Sequence, residues 1–374
     1  MSTTNVYEQV QERYAEGAQQ RQEALCCPVD YDQSLLKALP QEIIDKDYGC
    51  GDPSRYVRAG DRVLDLGSGG GKICYMAAQL VGEQGSITGV DMTDDMLALA
   101  RKYQGSMAEA LGGDRVSFKK GYIQDLALDV AAMEAYLAAQ PVRNAQDVQR
   151  LSTWQETQRR ESPMIADGAM TLVISNCVLN LVAEVDRRRM ISEIYRVLAP
   201  GGRVAISDIV ADEPVPEALK SDPALWSGCI SGAFHEAAFL DAFVEAGFVG
   251  VAYDKWDAEP WQVVAGIEFR SVTLIATKPE TAEDYDGGHA VLYKGPYAQV
   301  RDEKGRIYPR GQRMAVSRCT YGTLMNSGHA NDFIGFAPRE TQNRGGFCKP
   351  AGATRSAAET KGTVQTSSSS GGCC

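Results

Sequence analysis

Histidine is scarce in this 374-residue chain: His235, His289 and His329 are the only ones, and none sits at ligand spacing from another. No Cys-x-x-Cys pair is present either, so zinc-ribbon and zinc-finger geometry is unsupported. No stretch approaches the roughly eighteen consecutive apolar residues of a membrane span. Met1 to Val10 contain no positive segment leading into an apolar one, which argues against a secretory leader. A soluble, cytoplasmic protein is expected. A basic stripe is missing as well. Lys and Arg number 38 against 49 Asp and Glu, a net charge of −11, which opposes association with nucleic acid or anionic membrane. Neither is expected as a partner. No nucleophilic triad and no acid/base carboxylate dyad stands out.

Cysteine, by contrast, is plentiful, with ten in the chain. Disulfide frameworks belong to small secreted domains, so here the thiols are expected to be reduced and buried, metal-binding or catalytic. About half are accounted for as small core hydrophobes.

The chain is organised around Arg62-Val-Leu-Asp65-Leu-Gly67-Ser68-Gly69-Gly-Gly71-Lys72. An apolar strand breaks into glycines, and residues Lys72 to Val81 read as a helix. Such glycines let a ligand approach the main chain, and the helix start offers unpaired N–H groups. About twenty residues on, strand Ser86 to Val90 ends in Asp91, placed to accept hydrogen bonds from a ribose. A nucleoside cofactor follows. A nicotinamide fingerprint wants glycine or alanine where Lys72 stands, and normally lacks an acid such as Asp65 just before the first glycine. Length suggests two or three domains.

Ahead of this motif, residues 1–46 read as an N-terminal helical arm. Val10, Tyr14 and Leu25 form a sparse apolar stripe over Val6 to Leu25, and Leu35 to Ile44 are spaced for one short amphipathic helix. After it, a helix over Asp94 to Tyr103, a strand over Val116 to Lys119 and the segment Gly121 to Leu126 continue an α/β alternation. Residues 127–163 read as a helical insertion. The apolar strand from Met170 ends at Asn176 and Cys177, on the carboxyl side of the sheet where open α/β folds bind ligands. A helix over Arg187 to Leu198 and a strand over Val204 to Val210 follow. The pattern then pauses for an insertion over 212–233 carrying Cys229. A helix over Glu236 to Ala246 and strands near Val249 to Tyr253 and Phe269 to Ala276 finish a seven-stranded sheet, giving a domain over 47–279. Short strands with glycine turns suggest a small α+β domain over 280–340. Residues 341–374, ending in Cys373-Cys374, are low in complexity and expected to be disordered.

Asp65-Leu-Gly67-Ser-Gly69, together with Leu198-Ala-Pro-Gly-Gly-Arg-Val204, resembles the motifs of class I S-adenosylmethionine (SAM) methyltransferases. Tyr48-Gly-Cys50-Gly, Gly89-Val-Asp91-Met92-Thr, Ser175-Asn176-Cys177-Val-Leu-Asn-Leu-Val182 and Trp226-Ser-Gly-Cys229-Ile-Ser-Gly-Ala233 are more specific. Together they resemble the arsenite SAM methyltransferases, from the N-terminal arm to about Pro338. The resemblance implies a Rossmann-like class I fold with an inserted arsenic-binding segment. It implies SAM held by Tyr48, Asp65, Gly67, Ser68, Gly69, Gly71, Asp91, Met92, Ile123 and Asn176. It further implies trivalent arsenic held by Cys177 and Cys229, with Cys50 and one of Cys26 and Cys27 completing the site or forming a disulfide that is reduced during turnover. Arsenite and methylarsenite are then the acceptors, with a thiol reductant such as glutathione or thioredoxin, and the protein is expected to be a monomer. Cys74 lies outside that quartet and reads as packing. The tail pair Cys373-Cys374 reads either as a solvated tail or as an arm that captures metalloid. The chemistry is consistent: arsenic(III) is thiophilic and thiolates are soft ligands. Its lone pair attacks a methyl group in line without a general base, so positioning carries the rate. Two rival readings are a SAM methyltransferase of an organic small molecule and a non-enzymatic metalloid-binding protein.

Overall fold

Strand β1 (Arg62–Leu66) buries Val63, Leu64 and Leu66 completely, as a strand covered on both faces of a parallel sheet must. β2 (Ser86–Asp91) pairs with one edge of β1 in parallel, and β3 (Val116–Lys120) with β2. β4 (Met170–Asn176) takes the other edge, followed by β5 (Leu198–Ala211). β6 (Phe234–His235) adds two residues beside the end of β5. β7 (Val249–Trp256) and β8 (Gln262–Val264) both pair with β9 (Ile267–Thr277), which runs antiparallel between β5 and β7. The main path runs β3-β2-β1-β4-β5-β9-β7, the expected seven strands, with β6 and β8 as short additions. It is the class I methyltransferase sheet, mostly parallel with one reversed strand. The chain changes direction across the sheet between β1 and β4, so the crevice at their carboxyl ends is where an open α/β fold binds its ligand.

The computed structural model describes residues 3–20, 22, 29–280, 284–338, 344–350 and 352–361. Helices cover both faces. Leu64, Val173, Ile206 and Phe243 belong to one core layer, and Val63, Tyr75, Leu172 and Ile174 to the other. In the N-terminal segment α1 (Thr3–Gln19) is followed by α2 (Gln33–Leu36) and α3 (Gln41–Asp45). The single helix expected over 35–44 is two, because Pro40 has no N–H to continue the first and instead caps the second. α4 (Lys72–Leu80) follows the glycine turn and α5 (Asp94–Lys102) follows β2. α6 (Gln104–Leu111) was not anticipated: it buries only Met107, so it carries almost no periodic signal.

Residues 127–163 hold α7 (Val130–Ala139) and α8 (Ala145–Glu161), whose Asn144 and Asp147 form a capping box. The excursion closes on itself. Met164 N–H donates to Ala127 O (3.0 Å) and Ile165 N–H to Leu126 O (2.9 Å). α9 (Glu184–Val197) precedes β5, α10 (Glu217–Lys220) and α11 (Pro223–Ser227) lie in the second insertion, and α12 (Glu236–Glu245) leads to β7.

A compact unit runs to Lys278 and takes in the N-terminal segment; a second begins at Pro279. In the second, β10 (Ala290–Tyr293) lies between two later strands, β11 (Gln299–Arg301) and β12 (Ile307–Pro309) form a hairpin, and β13 (Arg313–Ala315) pairs with β10. α13 (Arg318–Asn326) and β14 (Phe333–Phe336) complete it. The expected boundary at 340 is too early. Arg355 is 2 % exposed, donates to His289 O at 3.0 Å and pairs with Asp286. Ala315 N–H also donates to Ala353 O. A guanidinium buried this way belongs to the fold rather than to a disordered tail. Cys26, Cys27 and residues 362–374, with Cys373 and Cys374, lie outside the described residues. No helix among the described residues is long and apolar enough to cross a membrane.

Candidate active site

At the carboxyl end of β1 the chain turns on Gly67 (φ +69°), Gly69 (φ +50°) and Gly71 (φ +85°). Only glycine fits at Gly67: a Cβ there would lie 2.5 Å from the Val178 methyls. The Gly67 and Ser68 N–H groups donate to Val90 O, and Gly69 N–H donates to the Asp91 carboxylate at 2.9 Å. The turn is thereby fastened to the end of β2. Beside it lies a concave cavity, partly open to solvent, the form that small-molecule sites take.

Tyr48, Asp65, Gly67, Ser68, Gly69, Asp91, Met92, Ile123 and Asn176, all expected on the cofactor side, lie on its wall. Gly71 does not. It is the left-handed N-cap of α4 and faces Phe118, so its part is to start the helix. Lys72, at the position that argued against a nicotinamide cofactor, is buried over the Tyr31 ring and paired with Asp47 at 2.8 Å. Burial pushes the Asp65 carboxyl up to about 7, opposed by the Cys74 thiol that donates to it at 3.2 Å. Burial likewise raises Asp91, against the N–H donors of Thr93 and Gly69. A wall with two such acids suits a cationic ligand, whose charge stabilises both carboxylates. Ser68 Oγ is buried with no hydrogen-bond partner among the described residues. The residues present therefore fit SAM, which carries a sulfonium and an ammonium.

The sulfur atoms come to the same end of the sheet. Asn176 ends β4, and its side-chain oxygen accepts from Cys50 N–H and Gly51 N–H, both at 2.9 Å. Its amide nitrogen donates to Gly51 O at 2.9 Å. The approach is so close that a Cβ on Gly49 would fall 1.9 Å from that nitrogen. Asn176 thus touches the cavity, yet its polar atoms hold the Cys50 loop. Cys177 follows with φ +64°, and Cys229, in the turn after α11, has φ +61°. Side chains other than glycine rarely adopt this left-handed region, and such strain persists where the surroundings enforce it. Cys177 N–H donates to Ser207 O, and Cys229 Sγ donates to Cys177 O at 3.2 Å.

Cys50, Cys177 and Cys229 share one apolar cluster with Trp226 and Phe269, and Cys177 also lines the cavity. The ligand atoms of Cys50, Cys177 and Asp208 lie within 4.8 Å of one another. Asp208 is 1 % exposed, and burial pushes it up to about 7. It accepts from Leu179 N–H and from the Asn180 amide, fixing the turn after Cys177. A Cβ on Gly232 would lie 2.1 Å from Asn180 O, so the turn after Cys229 packs directly on the turn after Cys177.

Some wall residues escaped the sequence reading. Val10 and Tyr14 of α1 line the cavity, so the apolar stripe of the N-terminal helix belongs to the site and not to a separate arm. Desolvation, then the Cys229 and Cys177 thiols, hold the Tyr14 hydroxyl well above its usual range. Asp208 had a signal too, an acid inside the apolar strand Ile206 to Val210.

Over 331 residues the chain is 31 % identical to the arsenite methyltransferase of Aquipseudomonas alcaligenes, spanning 81 % of this chain and 85 % of that one. The chain belongs to the arsenite methyltransferase family. The Mus musculus member is 31 % identical over 88 % of this chain and 80 % of its own. The crystal structure of CrArsM, an arsenic(III) S-adenosylmethionine methyltransferase from Chlamydomonas reinhardtii, matches with a TM-score of 0.54 and 28 % identity. That match covers 85 % of this chain and 99 % of that one. A methyltransferase-domain family matches residues 58–247, and a domain family of unknown function matches residues 280–365. The family assignment and the class I fold agree with the sheet order and the thiol-bearing turns.

Proposed function

We propose that this protein methylates trivalent arsenic against the SAM cavity, with arsenite held by Cys177, Cys229 and Cys50 as the first acceptor and methylarsenite, which has two hydroxides to exchange, held by two of these thiols as the next. The observation that carries this reading is the meeting of Cys50, Cys177 and Cys229, far apart in sequence, in one buried apolar cluster that reaches the cavity wall through Cys177. Two of them are held in left-handed backbone, a cost the fold would have no reason to retain for packing alone. Bound in the cavity, SAM supplies an electrophilic methyl group on a sulfonium.

The chain's own residues do the rest. The Gly67 to Gly69 turn lets the cofactor's amino-acid part approach the main chain, and Ser68 Oγ on the cavity wall, without a partner among the described residues, is available to bond it. Asp65 meets its ammonium, and Asp91 meets its ribose. The thiols replace hydroxide on arsenic, each released hydroxide leaving as water with the thiol proton. They leave the arsenic lone pair directed to the cavity, and near-attack placement of this kind supplies roughly 7–11 kcal/mol. Accepting a methyl cation raises arsenic from the trivalent to the pentavalent state. Two electrons from a pair of site thiols restore it as those sulfurs join in a disulfide, which a reductant such as glutathione or thioredoxin reopens.

The test is to incubate purified protein with SAM, arsenite and a thiol reductant and to separate the arsenic species. Methylated products that vanish in Cys177→Ser and Cys229→Ser support the reading. Full turnover by either variant would overturn the ligand assignment. Retention of activity on an organic acceptor in both would favour that rival, and failure to bind SAM would favour a metalloid-binding protein without catalysis.

A further inference from the structure

The insertion at 127–163 has no part in the chemistry above, and because its ends are hydrogen-bonded together the sheet would close without it. It nevertheless grips one particular stretch of the cavity wall. Gly121, Tyr122, Ile123 and Gln124 line the cavity, and they are bracketed by two charged residues, both anchored to the insertion. On the near side Lys120 Nζ pairs with Glu134 of α7 at 2.6 Å and with Asp94 of α5 at 2.6 Å. On the far side Asp125, 7 % exposed, meets Arg159 of α8. Arg159 Nε lies 3.2 and 3.1 Å from the two carboxylate oxygens, and Nη2 lies 2.9 Å from one of them. Arg189 of α9 reaches the same carboxylate at 2.6 Å. A forked guanidinium on a nearly buried carboxylate fixes direction as well as distance. Between the anchors, Asp125 N–H closes a turn on Tyr122 O at 2.9 Å. Met164, where the insertion returns, stands under Gly121, whose Cβ would lie 2.5 Å from the Met164 methyl.

We infer that the insertion is a cofactor-positioning element, and that Arg159, acting through Asp125, is a positioning residue that sets the Tyr122 to Gln124 wall against the nucleoside half of SAM. This rests on the cavity being the SAM site. Gly121 N–H donates to Asp91 O at 3.0 Å, so the wall adjoins the acid assigned to the ribose, and none of residues 121–124 belongs to the apolar cluster of Cys50, Cys177 and Cys229; its loosening therefore weakens cofactor binding and leaves the thiols in place. Arg189 alone does not substitute, because it is half-exposed and makes a single contact.

The experiment is titration calorimetry of the full chain with SAM, and with adenosine as a fragment, for wild type, Arg159→Ala, Arg159→Lys and Asp91→Ala. Arg159→Ala is expected to weaken both SAM and adenosine by roughly three- to tenfold, with kcat at saturating SAM and the KM for arsenite unchanged. Arg159→Lys should recover part of the loss. Wild-type affinity for SAM in Arg159→Ala, with Asp91→Ala impaired, would overturn the inference and leave the cofactor site standing. Equal affinity in all four proteins would instead remove the SAM assignment of the cavity. A drop in kcat with unchanged SAM affinity would also overturn it, since the insertion would then act on chemistry rather than on binding.

Discussion

Replacing Cys177 by glycine and, separately, by alanine separates the cost of its backbone from the function of its sulfur. At an ordinary position glycine is less stabilising than alanine by about 0.5–1 kcal/mol, through its greater freedom when unfolded. At φ +64° a Cβ costs roughly 1–2 kcal/mol. The Cβ cost outweighs the freedom, so Cys177→Gly is expected to be more stable than Cys177→Ala by about 0–1.5 kcal/mol. For a unit of this size that is an upward shift of up to about 4 °C in melting temperature. Both variants lose the same buried thiol, so its packing contribution cancels between them. Neither should methylate arsenite. The assay is thermal unfolding of the two variants side by side under one buffer, with arsenic speciation on the same preparations. An alanine variant more stable than the glycine variant by about 0.5–1 kcal/mol, the ordinary order, would refute the left-handed geometry. Turnover by either variant would refute the role of the sulfur.

SAM affinity should depend on pH through Asp65. Burial holds its folded-state carboxyl near 7, so it is protonated below that pH and must lose the proton to face an ammonium. Affinity should fall by up to about tenfold per unit below pH 7 and level off above it; calorimetry in buffers of different ionisation enthalpy would detect the proton released, and a flat profile from pH 6 to 8 would refute the pairing. Gly49→Ala should destabilise the protein by about 2 kcal/mol or more, because a Cβ 1.9 Å from the Asn176 amide displaces the side chain that holds the Cys50 loop. An unchanged denaturant midpoint would contradict it. Removing both Cys26 and Cys27 should spare methylation of methylarsenite while impairing that of arsenite, and equal loss on both acceptors would refute a role restricted to the first step.

Much of this was readable from residue order. The apolar run before Gly67, the acid ending β2 and the thiol at the end of β4 each follow from local pattern, since strand ends and glycine turns are governed by near neighbours. What stayed hidden depends on contacts far apart in sequence. Nothing in Asn176-Cys177-Val178 announces a left-handed thiol, because the conformation is imposed by Ser207 and Asp208 on the next strand. The apolar stripe of Val10 and Tyr14 was visible, but its partner surface was not. Arg159 looked like one charge among many on an exposed helix, and only the position of Asp125 across the fold gives it a task. Pro40 is legible in the sequence, and its missing N–H outweighs the apolar spacing of Leu35 to Ile44.

The loops bearing Cys50 and Cys177 are joined through one uncharged amide, Asn176. An amide neither titrates nor attracts counter-ions. Acidification or a rise in salt that would loosen the ion pairs elsewhere in the chain leaves this clasp alone, so the spacing between the Cys50 and Cys177 loops is held at this point by a bond that does not respond to either.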